Sequence, residues 1–210
     1  MKFIIKKIYF VILLTAISLF YTSVFAKNSQ IKYSRENISN YFSGIISSKQ
    51  DSNDKTLRHL KKVKSLKNKH SKFNTEFLRT LVLLNKFNEA FKFSESVWKE
   101  DEYFFEADLI LGLNAFTNND YFTARKYFKR LNNLSEYNLI FQDFVGNTAL
   151  AWVSASENKK EESFELLNKI PKRYNHLIKI QNSFLECYFN TDKAALSYDN
   201  LINEKDYNFS

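Results

Sequence analysis

The chain has 210 residues, with 31 Lys and Arg against 23 Asp and Glu and a formal net charge of +8. Three glycines and one proline are too few turn-formers for a many-stranded β-fold, and a single cysteine excludes a disulfide scaffold. Lys, Asn, Ile and Phe are all abundant, the residue signature of an AT-rich genome, so the positive balance is weak evidence for a nucleic-acid partner.

Residues 1–26 read as a secretory signal peptide. Lys2, Lys6 and Lys7 form a basic start, residues 8–20 are largely apolar, and Val24-Phe25-Ala26 places cleavage between Ala26 and Lys27. The apolar run is short of the ~20 residues a membrane-spanning helix needs, so no span is expected after signal removal. The mature chain, carrying about +5, is expected in a bacterial periplasm or secreted. The alternative is an uncleaved segment that anchors it to the inner membrane. Residues 27–36 are polar and read as a disordered linker.

From residue 37 the apolar pattern is helical and comes in pairs, and a 34-residue rhythm runs through it. Units are expected at 37–70, 71–104 and 105–138; five extra residues, 139–143, precede a fourth at 144–175 and a fifth at 176–209. Gly44, Leu78, Gly112, Ala151 and Ser183 stand at a first helix crossing. Thr56, Ala90, Ala124, Ser163 and Ala195 form a second column, small throughout, as close backbone approach requires. Val63, Val97, Leu131, Ile170 and Ile202 make an aliphatic column suited to burial against the next unit. Asp51, Asn85, Asn119, Asn158 and Asn190 fall between the paired helices, where Asn and Asp tolerate the left-handed backbone that ends a helix.

These residues resemble tetratricopeptide repeats, most clearly in the third unit, where Leu111, Gly112, Tyr121, Ala124 and Phe128 sit at the family's spacing around an Asn119-Asp120 turn. Phe87 and Ala90 repeat part of the pattern in the second unit. The resemblance implies an all-α solenoid at 37–210, about five antiparallel helix pairs stacked into a right-handed superhelix. The first helix of each pair would line its concave face. The array ends at Ser210 without a polar capping helix, so it is uncapped or its frame is truncated.

No residue pattern points to chemistry. There is no glycine-rich phosphate loop, no Gly-x-Ser-x-Gly elbow and no paired metal-ligand spacing among His59, His70 and His176, so neither catalysis, metal nor cofactor is expected. Acid clusters such as Glu100-Asp101-Glu102 and Glu161-Glu162 read as solvated turns. Cys187 sits in an apolar stretch and reads as a small buried hydrophobe.

Two surfaces remain as candidates. Inward positions taken from the resemblance include Tyr41, Arg79, Leu113, Phe116, Trp152, Phe184 and Tyr188, an aromatic and aliphatic lining with Arg79 as its one clear charge. It suits an amphipathic helix or an extended apolar peptide, although some of these aromatics would equally serve as inter-helix core. The segment 58–72 is cationic, and Arg58, Lys61, Lys62, Lys64 and Lys67 are its candidates for contact with an anionic envelope component. A solvated lysine-rich face is the plainer reading of that segment, and the export signal argues against nucleic acid.

The leading expectation is a non-catalytic scaffold or adaptor for protein–protein contacts in the bacterial cell envelope. The alternatives are the helical arm of a larger envelope enzyme of cell-wall hydrolase type, whose catalytic domain lies elsewhere, and an anionic-surface binder working through 58–72.

Overall fold

The computed structural model describes residues 34–133 and 142–203. The signal peptide with its Ala26–Lys27 cleavage point, residues 27–33 of the expected linker, residues 139–141 of the insertion and the chain end at 204–210 lie outside the described residues. Among the described residues there are ten α-helices and no strand. In chain order they are α1 (Arg35–Lys49), α2 (Asn53–Lys61), α3 (Ser71–Leu83), α4 (Phe87–Val97), α5 (Phe105–Thr117), α6 (Tyr121–Leu131), α7 (Gln142–Ser156), α8 (Lys160–Asn168), α9 (Asn175–Tyr188) and α10 (Ala194–Asn203). A 3₁₀ helix, Lys64–Asn68, follows α2, and another, Lys172–Tyr174, precedes α9.

Consecutive helices pack as pairs, and each pair packs on the next. Helix starts are fixed locally: Ser34 Oγ accepts from the Asn37 N–H at 3.1 Å, and Asp120 Oδ1 from the Thr123 N–H at 3.1 Å. Helix α1 therefore begins at Arg35, two residues inside the segment read as linker.

Every intra-pair turn has one conformation. Asp51, Asn85, Asn119, Asn158 and Asn190 have φ of 54°, 55°, 60°, 59° and 49°. After each of them two crossed bonds close the helix end. In the third unit the Asp120 N–H reaches the Ala115 carbonyl at 2.9 Å, and the Asn119 N–H reaches that of Phe116 at 3.0 Å. The same pair of bonds recurs in the other four units.

Close approach explains the small residues. A Cβ on Gly112 would stand 2.4 Å from Phe128 Cε1, and one on Gly44 2.5 Å from Leu60 Cδ2. Gly146 has a different reason: its missing side chain makes room for Asn132, which caps α6 and donates through Nδ2 to Asn147 Oδ1 at 3.1 Å. Thr56, Ala90, Ala124 and Ser163 are fully buried in the second column.

Two apolar cores result, one around Leu60, Phe73, Phe77 and Leu81 and one around Phe128, Leu131, Val153, Leu167 and Leu185. Helix α5 serves both, giving Ala107 and Ile110 to the first and Leu109 and Ala115 to the second. First helices touch directly at α1–α3 and α3–α5, whereas the third and fourth pairs are joined mainly through α6 and α7.

The fifth pair departs from its expected register. Ala195 is exposed and Ile202 is 63% exposed, whereas Leu201 is buried at 9%. Helix α10 starts late, at Ala194, after a turn through Thr191, Asp192 and Lys193. Thr191 Oγ1 bonds Glu186 Oε2 at the head of that turn. The small-residue contact moves with it: Ser183 Oγ meets Ser197 Oγ at 2.6 Å. Cys187 is exposed, so the expectation that it packs as a buried hydrophobe is also corrected.

Candidate protein-interaction face

The inward positions divide into packed and open residues. Tyr41 is half-buried with its ring edge-on to His70 at 4.9 Å, and it packs on the first core. Phe116 tilts against Tyr121 at 5.8 Å and packs on the second core. Both act as inter-helix core. Arg79 and Leu113 are exposed, as are Phe184 (49%) and Tyr188 (53%).

One cluster forms between α7 and α9. Trp152 is half-buried, its Nε1–H donates to Gln181 Oε1 at 2.9 Å, and its ring stands edge-on to Tyr188 at 5.8 Å. Gln181, Phe184 and Tyr188 follow one another at helical spacing along one side of α9. The hydrogen bond orients the indole, and Phe184 and Tyr188 leave apolar area open beside it. Such a shelf can take an apolar side chain from a partner at little ordering cost.

The first-helix face also carries more charge than Arg79. Glu76 on α3 is buried at 6%, accepts from Ser48 Oγ at 2.5 Å and pairs with Lys72 at 2.7 Å. Burial alone would raise its pKa, but Lys72 and Ser48 outweigh that and hold the carboxyl below its ordinary value. Half-buried Glu106 on α5 goes the other way, raised mainly by burial and only partly offset by a backbone hydrogen bond and by the charges of Arg79 and Lys72.

The basic segment is not one uniform face. Arg58 and Lys62 are exposed, but Lys61 pairs with Glu89 at 3.0 Å and Lys64 Nζ lies 5.5 Å from the Phe77 ring centroid. Lys67 is half-buried and lines a recess shared with residues of α4. His70 Nδ1 caps α3 by accepting from the Phe73 N–H at 3.3 Å, and His59 Nδ1 meets Asn40 Oδ1 at 3.1 Å.

Sequence reasoning missed a buried ionic clasp. Asp108 on α5 is fully buried; its Oδ1 accepts from Trp98 Nε1 at 2.7 Å and from Arg130 Nε at 2.8 Å. Arg130 also donates to the carbonyls of Lys99 (3.0 Å), Glu100 (2.6 Å) and Glu102 (2.6 Å), and its guanidinium lies over Trp98 and Tyr103. The whole loop after α4 is thus tied to one arginine. Burial raises the Asp108 pKa, with Trp98 and Arg130 opposing. Two acids at the start of an otherwise apolar helix, Glu106 and Asp108, were the available signal, and nothing nearby named a partner for Asp108.

Among the described residues no helix is long and apolar enough to cross a membrane, and no three His, Cys, Asp or Glu side chains are grouped to hold a metal ion.

No protein-family model matches the chain, and no curated protein matches it. Its fold is similar to two solved structures. The crystal structure of the MamA protein is 15% identical over 80% of this chain and 90% of that one, with a TM-score of 0.59. The MamA RS-1 ArsTM double mutant is 13% identical over 80% and 94%, with a TM-score of 0.60. MamA is a tetratricopeptide-like solenoid, and the helix pairs here have that architecture.

Proposed function

We propose that this chain is a non-catalytic scaffold of the bacterial cell envelope that holds a protein or peptide partner on its first-helix face. The observation that carries this reading is the α7–α9 shelf, where Trp152 is fixed by Gln181 and Tyr188 while Phe184 and Tyr188 remain about half exposed. A rigid aromatic with open apolar neighbours is the composition that concentrates binding energy at protein interfaces. The solenoid supports the same reading, because stacked pairs present an extended surface that a compact domain lacks. The occupant that fits is an amphipathic helix or an extended apolar segment. The basic start and apolar run of residues 1–26 support export, with the mature chain starting at Lys27.

Affinity capture from an envelope extract tests this. Replacing Phe184 and Tyr188 by Ser should lower partner recovery about tenfold or more while leaving helical circular dichroism intact, because both side chains are surface-exposed. Undiminished capture by the double variant rejects the shelf as the binding site. Intact mass of the exported chain should place its first residue at Lys27, and retention in the cytoplasm rejects the envelope assignment.

A further inference from the structure

The 3₁₀ helix Lys64–Asn68 lies between α2 and α3, and two adjoining recesses open beside it. One recess, of about 430 Å³, reaches down to Phe77, Leu81 and Phe93; the other, of about 330 Å³, runs past His70 and Asn74 to Trp98. Both are lined by Lys67 and Ser96, so they are two parts of one trough. The floor of the first part is aromatic: Phe77 and Phe93 are buried and their ring centroids are 4.7 Å apart.

The walls are positive. Lys64, Lys67, Lys69 and Lys92 line the trough, and none of them lies within ion-pair distance of a carboxylate among the described residues. Both carboxylates on the lining are already engaged, Glu89 with Lys61 at 3.0 Å and Lys86 at 3.6 Å, and Glu102 with Lys99 at 2.5 Å. Lysines close together in sequence would by themselves be a solvated face. Lys92 belongs to α4, in the next unit, and closes the same recess from the other side.

We infer that this trough is a second docking site, for an extended acidic peptide segment that carries an apolar residue. The apolar side chain rests on Phe77 and Phe93; acidic residues before and after it meet Lys64 and Lys92 in one part and Lys67 and Lys69 in the other. Four cations spread over two recesses do not converge on one point, as a lone phosphate requires. A flat bilayer reaches the outer residues Arg58 and Lys62 but not a recessed aromatic floor. The trough is built by the first and second pairs, two units from Trp152 and three from Tyr188, so its occupancy is independent of the α7–α9 shelf. With both sites filled, the scaffold bridges two partners.

The probe is a fluorescein-labelled peptide of Asp and Glu with one central Phe, titrated into the mature chain and read by fluorescence anisotropy. Binding is expected, and it should weaken about tenfold in the Lys67→Gln, Lys92→Gln double variant and again when salt is raised. Changing the probe's acids to their amides, or its Phe to Ser, should each weaken it as well. Tyr188→Ala should leave it unchanged, which separates this site from the shelf. The inference is overturned by no binding, by equal binding of the double variant with its circular dichroism intact, or by equal binding of the amide probe. It is also overturned if phosphatidylglycerol vesicles bind the chain through Arg58 and Lys62 while the acidic probe does not.

Discussion

Asp51, Asn85, Asn119, Asn158 and Asn190 do a job usually given to glycine. A left-handed φ costs most side chains about 1–2 kcal/mol, and Asn and Asp are the side chains that tolerate it best. That requirement is local to the turn, which is why the column was legible from spacing alone and holds in all five units. Asp108 shows the opposite case. Arg130 reaches it across its own helix pair and Trp98 only once the second pair has stacked on the third, so no local pattern announces them. Glu76 was hidden for the same reason, as Ser48 comes from the preceding pair. Its titration gives a prediction. The folded-state pKa is lowered, so the stability Glu76 contributes is present above the unfolded carboxylate range and is lost as pH falls through the folded value. The stability gap between the native chain and Glu76→Gln should therefore be widest near neutral pH and narrow as pH falls below the ordinary carboxylate range, measured by urea denaturation. A gap independent of pH would show that the carboxylate's charge is not what stabilises α1 on α3.

At the scale of elements, the fifth pair sets the limit of what a column can say. A helix that starts one residue out of register is turned by about 100°, enough to take an aliphatic side chain from the core to solvent. Helix α10 starts two residues later after its turn than the other second helices do, and Leu201 is buried where the rhythm placed Ile202. The sequence carried this turn only as Thr191-Asp192-Lys193, a run that a helix start also tolerates. Leu201→Ala should lower stability by about 2 kcal/mol, and Ile202→Ala by about 0.5 kcal/mol or less, read from denaturant midpoints. The reverse order would restore the expected register. The candidate face divides in the same way. Position along a first helix was legible, but whether Tyr41 and Phe116 meet a neighbour or face open space depends on the adjacent pair. The structure seats both in core contacts and leaves Phe184 and Tyr188 exposed.

Across the whole molecule, stability is a chain of neighbouring interfaces, and the weakest link decides how it comes apart. The contact between the second and third pairs depends heavily on Arg130, which neutralises Asp108 and fastens three carbonyls of the loop after α4. Arg130→Ala leaves a buried carboxylate without its cation, at a cost of about 3 kcal/mol. Thermal unfolding followed by circular dichroism should then split from one transition into two, as the core around Phe77 separates from the core around Phe128. A single transition at the native midpoint would show that α5 alone couples them. The same layout also sets the order of events in time. Each pair is closed by its own turn and meets only the pairs beside it, so ordering the first pairs does not wait for the last. Low contact order of this kind favours rapid assembly. A chain emerging end-first from a narrow channel can therefore take up its structure pair by pair as it appears, with little apolar surface left waiting for a distant partner.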